Sequence, residues 1–200
     1  MLSNTAETLR ARPQLYRAKL GVYLLIVSLS IFFVAALIAY ALIRTSVGIQ
    51  LEPLVMPLSF WVSTLALLAT SFFLHLAVLS IRREKQIRYR RFLWAAMVFG
   101  GFFLVLQAEG MWSLIRTHFA LEAGYGKLYG ICFSIALLHA AHVIGGGFFL
   151  GYVWAETRKG KYDHERHWTV DICATYWHFL DVVWILMLIT FWWTESSLRS

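Results

Sequence analysis

The stretch GVYLLIVSLSIFFVAALIAYALI, residues 21–43, decides the fold. It holds no charged side chain, and as a helix rising about 1.5 Å per residue it measures roughly 35 Å, enough to cross a bilayer hydrocarbon core of about 30 Å. Outward from it lie four more runs of the same kind, at 53–80, 92–114, 128–154 and 174–194. The composition of the whole chain follows from them: of 200 residues 60% are hydrophobic and only 14% charged, with a mean hydropathy of +0.64. A soluble domain needs about 25% charged residues to wet its surface, and a disordered one needs more polarity still. The sequence therefore predicts an all-α polytopic membrane protein, a bundle of five transmembrane helices spanning residues 21–194 between a cytoplasmic N-terminal tail (1–20) and a short C-terminal tail (195–200). The first run exceeds the 7–15 apolar residues of a secretory signal and no small-residue cleavage pattern follows it, so it reads as a retained helix.

The net charge of +7 is arranged by side. Fourteen of the 18 Lys and Arg residues fall in the N-terminal tail, the second loop (81–91) and the fourth loop (155–173). The alternate side holds Arg44, Arg116, Lys127 and Arg199. By the positive-inside rule the N-terminus is inside and the C-terminus outside. The cluster from Arg82 to Arg91 thus reads as an inner anchor beside anionic lipid head groups; no nucleic-acid partner is needed to explain it.

Ionisable and amide groups inside apolar runs are costly and usually face the bundle interior or a partner protein. Here they are His75, Gln107, Glu109, His139, His142, His178 and Asp181. Counting from the inner ends places His75, His178 and Asp181 in the inner half, His142 somewhat deeper, and Glu109 near the outer boundary. His178 and Asp181, three residues apart, share a helix face. A carboxyl at that depth needs a donor, for which His178, His142, the Trp177 indole or a neighbouring subunit are the candidates. The histidine spacing lacks the paired arrangement of a bis-histidine haem helix bundle and has no thiolate or carboxylate placed for copper or zinc, so no cofactor is expected in this chain. Cys132 and Cys173 fall at opposite ends of their spans and are not expected to bridge. Gly147 and Gly151 form a Gly-x-x-x-Gly pair, a signal for close helix approach. Trp154, Trp168, Trp177, Trp192 and Trp193 lie near span ends, as an interfacial belt would, and Pro13, Pro53 and Pro57 are expected at or before helix starts.

The last run reads Tyr176-Trp177-His178-Phe179-Leu180-Asp181-Val182-Val183-Trp184 and ends in Phe191-Trp192-Trp193. It resembles the final helix of subunit III of the haem–copper oxidases, whose wording is Y-W-H-F-V-D-V-V-W followed by Y-W-W. The stretch His139-Ala140-Ala141-His142-Val143-Ile144-Gly145-Gly146 is similar to the family's H-G-x-H-V-x-x-G. Leu106-Gln107-Ala108-Glu109, and Met56-Pro57 with Phe60-Trp61 and Ser63-Thr64, resemble its wording in two further spans. The resemblance runs from Lys19 onward and fits the short bacterial form with five helices. Two departures stand out. Leu29 occupies the place of a buried family glutamate, and the glutamate before the last helix appears as Asp171.

The resemblance implies a non-catalytic subunit of a proton-pumping terminal oxidase in a bacterial inner membrane, packed on the catalytic subunit (subunit I) beside the other oxidase subunits. That subunit would carry the haem and copper. This chain would bind phospholipid between its helices and support proton uptake and oxygen access. His142, Asp171, Tyr176, Trp177, His178, Asp181 and Glu109 carry over as structural, lipid or subunit-interface residues, with no catalytic role. Leu29 favours scaffolding over proton handling and leaves room for an accessory protein of a nitric oxide reductase. A stand-alone transporter is a third alternative, against which stands the lack of broken helices in two matching halves.

Overall fold

A computed structural model describes residues 2–46, 58–120, 126–162 and 167–196, with side chains placed over 19–45, 58–116, 130–162 and 167–194. Among these residues there are five helices: α1 (Leu2–Ser46), α2 (Leu58–Arg82), α3 (Gln86–Ala120), α4 (Gly126–Arg158) and α5 (Trp168–Ser196). Each contains a segment long and apolar enough to cross a membrane: Lys19–Thr45, Leu58–Arg82, Gln86–Arg116, Gly130–Arg158 and Trp168–Thr194. The chain is a multi-pass membrane protein.

Helices α2, α3, α4 and α5 close into a four-membered ring in which each packs on the next and α5 returns to α2; α1 lies outside the ring against α5 and α4. Buried share follows position. The α5 span is the most enclosed and the α1 span the least, with Leu24, Ile31, Ile38 and Leu42 among its exposed side chains. For a membrane helix such exposure is solvation by lipid tails, so an apolar surface all round is the expected state and not a defect.

Helices run past their apolar runs. The first residues, expected as a tail, continue α1 from Leu2, and Pro13 lies inside that helix, not before its start. Pro53 and Pro57 lie outside the described residues. The second loop, expected over 81–91, shrinks to a turn at Arg83–Lys85, so that Arg88, Arg90 and Arg91 stand on the first turns of α3. The reason is that Lys and Arg are good helix formers whose long stems can follow a helix out of the membrane to water. The turn is a Schellman cap: Lys85 N–H donates to the Ser80 carbonyl at 2.9 Å and Glu84 N–H to Ile81 at 3.1 Å, with Glu84 in the left-handed region at φ 59°. The α4 end repeats the device with Gly160 at φ 71°, where Lys161 N–H reaches Glu156 and Gly160 N–H reaches Thr157.

The Gly-x-x-x-Gly expectation fails. A methyl group added at Gly147 or Gly151 would meet nothing within 4 Å, whereas Gly110 abuts the Phe60 ring, Gly146 lies under Tyr176 and Leu180, and Gly100 under Trp177 and Thr70. A lone spacing motif marks a smooth helix face but does not say which neighbour uses it. Trp177 is also not a belt residue. It is 1% exposed in the core, while Trp192 and Trp193 are exposed near the C-terminal end of α5. Cys132 and Cys173 are both buried, free thiols.

Candidate functional site

The side chains that matter fall in three layers along the bundle. At the end of the bundle that carries the α2–α3 turn, α2, α3, α4 and α5 are tied by polar contacts. Arg82 Nη2 donates to Asp171 Oδ2 at 3.0 Å, and His167 Nε2 lies 3.4 Å from the same oxygen. Glu156 receives Lys159 at 2.8 Å and Lys161 at 2.5 Å, and that carboxylate holds the Lys161 ammonium above its ordinary pKa. Gln86 Nε2 donates to the Tyr162 carbonyl at 3.2 Å. Tyr89 and Thr157 share a buried hydrogen bond of 2.7 Å. Because the Thr157 hydroxyl hydrogen is committed to the Val153 carbonyl, the Tyr89 hydroxyl is the donor.

In the half of the bundle next to that end, α5 presents two polar faces. Toward α4, Trp177 Nε1 donates to the Gly146 carbonyl at 3.3 Å and the Tyr176 hydroxyl to the His142 carbonyl at 3.1 Å. These backbone acceptors are reachable because Gly146 has no side chain to hold α5 off. Toward α2, the His178 ring faces His75 with centroids 6.0 Å apart, and Asp181 lies against Ser71. His178 and Asp181 do share a face, as their spacing predicts. Of the donors expected for Asp181, two are engaged elsewhere. Trp177 is spent on Gly146, His142 Nδ1 pairs with the Leu138 carbonyl at 2.7 Å and its ring meets Phe33 of α1. Neither Asp181 Oδ1 nor Ser71 Oγ completes a hydrogen bond among the described residues. His142 thus belongs to the α1–α4 contact, apart from the His75–His178–Asp181 group.

Toward the opposite half, a third layer lies in the bundle interior. Ser63 Oγ donates to Gln107 Oε1 at 3.4 Å and Trp184 Nε1 to Thr64 Oγ1 at 2.9 Å. His139, fully buried, stacks on Trp184 at 5.3 Å with Phe33 at its edge. Both its ring nitrogens are sealed there with no hydrogen-bond partner among the described residues. Ser63 and Thr64 enter the sequence reading only through the family resemblance and Ser71 not at all, because a hydroxyl in a membrane helix ordinarily bonds its own backbone and gives no signal of a cross-helix role. Glu109 is exposed on α3, one turn before the Trp112–Arg116 pair, whose guanidinium sits 5.2 Å over the indole. Leu29 is half-buried and packs on the apolar core.

Among the described residues no three His, Cys, Asp or Glu side chains converge as a metal ligand set. The cavities are of another kind. Two apolar recesses of about 310 and 370 Å³ share Leu104 and Ile144 and form one groove along the α3–α4 seam. Gly101 and Gly147 lie in the part nearer the Arg82–Asp171 pair and Met111 and Phe133 in the part farther from it. Nothing in the three polar layers sets a nucleophile beside an ordered base.

A family model for cytochrome c oxidase subunit III matches residues 14–196, all five spans included. The chain belongs to that family. It is 30% identical over 179 residues to cytochrome c oxidase subunit 3 of Thermostichus vulcanus, covering 84% of this chain and 83% of the relative. With the Synechocystis subunit 3 it shares 28% over 178 residues, 84% of this chain and 72% of the relative. With the mouse subunit 3 it shares 31% over 147 residues, 73% of this chain but only 53% of that longer relative. The subunit III likeness read from the last helix therefore extends over the whole bundle.

Proposed function

We propose that this protein is a non-catalytic subunit of a respiratory terminal oxidase, one that stabilises a haem- and copper-bearing catalytic subunit in the cytoplasmic membrane of a bacterium, with its N-terminus inside and its C-terminus outside. The family match over residues 14–196 carries the reading. The site geometry supports it. Several polar side chains within the spans hold helix to helix, as Trp177 does with Gly146 and Trp184 with Thr64, and a bundle so fastened is suited to bracing a neighbour. Leu29, packed in apolar surroundings, offers no proton at the place where the family resemblance leads one to look for a carboxyl. Support of proton uptake would then fall to the inner-end charges, Arg82 with Asp171 and the lysines on Glu156. The α3–α4 groove has the apolar lining and length to take a phospholipid acyl chain.

The test is removal. The purified oxidase with and without this chain is compared for haem content, oxygen consumption and proton uptake. The reading requires haem to stay in the remaining subunits while oxidase stability or sustained turnover declines; haem lost in proportion to this chain would overturn it.

A further inference from the structure

Resting on the oxidase reading, the structure adds which face of the bundle meets the partner. We infer that the outer side of the α2–α5 seam, at His75 and His178, docks a transmembrane helix of another oxidase subunit that brings a hydrogen-bonding side chain to the imidazoles. His75 is exposed on α2, seven residues before Arg82, and His178 is half-buried on α5, seven residues after Asp171. At about 1.5 Å per residue both rings lie roughly 10 Å deeper than the Arg82–Asp171 ion pair that marks the inner end. At that depth lipid tails supply no hydrogen-bond partner, and an exposed imidazole remains unsatisfied. Behind the rings Asp181, 6% exposed, lies against Ser71 and is closed off from the surface. The seam therefore presents two outward imidazoles from two helices at one depth, which a second polar helix satisfies and a lipid does not.

The rest of the perimeter offers no equal. The outward side chains along α3 and α4 are mostly apolar, Val98, Phe102, Val105, Leu137 and Phe148 among them. Ser30 and Ser134 are satisfied by their own helices, bonding the Ile26 and Gly130 carbonyls. Glu109 is exposed, but it lies one turn from the Trp112–Arg116 pair, near enough to the outer interface for its carboxylate to reach water. Around His75 and Val182 the flanking surface is apolar, Leu68, Phe72 and Leu186 included. It supplies the packing area that surrounds a polar contact between membrane helices.

A photo-crosslinking residue is placed at 75, at 182 and, as control, at 105 on α3, in the assembled oxidase in native membranes, and adducts are identified by mass spectrometry. The expected result is an adduct with another membrane subunit of the oxidase from 75 and 182, and lipid adducts alone from 105. Lipid-only products at 75 and 182 in a complex that still co-purifies would overturn the docking face while leaving the oxidase reading intact, as would an adduct with a second copy of this chain. Failure of the unsubstituted chain to co-purify with an oxidase would overturn the oxidase reading itself. A second arm uses His75→Leu, an exposed position whose change leaves the bundle folded. Retention on the oxidase during detergent washing should fall for His75→Leu and not for Val105→Leu; equal retention of both counts against the proposal.

Discussion

Gly110 of α3 lies directly against the Phe60 ring of α2, with no space for a methyl group between them. Phe60 cannot yield easily, because its other side meets Trp184 of α5 edge-on at 5.4 Å. Gly110→Ala should therefore destabilise the bundle by about 1–3 kcal/mol, the usual cost of overpacking a close-packed core. Gly147→Ala and Gly151→Ala, where an added methyl meets nothing, should leave stability unchanged or raise it slightly. Thermal unfolding of the three variants in one detergent checks this; equal losses would contradict the packing described.

Tyr89→Phe removes the donor to Thr157 and leaves the Thr157 hydroxyl still bonded to Val153. The acceptor loses one partner and no donor is stranded. The loss should therefore lie in the ordinary range for a single hydrogen bond, about 0.5–1.5 kcal/mol. Thr157→Val strands the buried Tyr89 hydroxyl and should cost more. Denaturant unfolding of both variants reads the order, and a larger loss for Tyr89→Phe would refute the donor assignment.

Glu84 closes α2 in the left-handed region at φ 59°, a conformation costing a side-chain-bearing residue about 1–2 kcal/mol. Glycine takes that conformation freely, as Gly160 does at the matching cap of α4. Glu84→Gly should raise the melting temperature, and Gly160→Ala should lower it. A destabilised Glu84→Gly would show that the carboxylate outweighs the backbone.

The Arg82–Asp171 pair is partly exposed, and exposed ion pairs contribute only about 0–1 kcal/mol. Asp171→Asn should shift stability little and should weaken its dependence on salt. A loss of several kcal/mol, read by unfolding at low and high salt, would mean that the pair is enclosed in the assembly.

The spans were legible because an apolar run of some 20 residues has few alternatives to a membrane helix. The shared face of His178 and Asp181 was legible because helical spacing alone fixes it. What faces what was not. The Trp177 indole reaches Gly146 and not Asp181 because α5 is rotated to put it under α4, a matter of bundle geometry that no local motif encodes. The close approaches at Gly110, Gly146 and Gly100 each depend on a large ring from a distant helix, so the visible Gly147–Gly151 spacing pointed to the wrong contact. Helix ends extended past prediction for a related reason: charge marks where the membrane stops, and a helix need not stop there. The glycine cap at Gly160 could be read from sequence, whereas the same cap at Glu84 carried no signal.

The central claim is that this chain serves an oxidase as a scaffold carrying no redox centre. The most direct measurement is affinity purification of the tagged chain from native membranes in mild detergent, followed by mass spectrometry and haem detection on each separated polypeptide. The account predicts a stable complex with a haem-bearing membrane subunit, and haem on that subunit and not on this chain. A monodisperse, partner-free protein would contradict it, as would haem held by this chain itself.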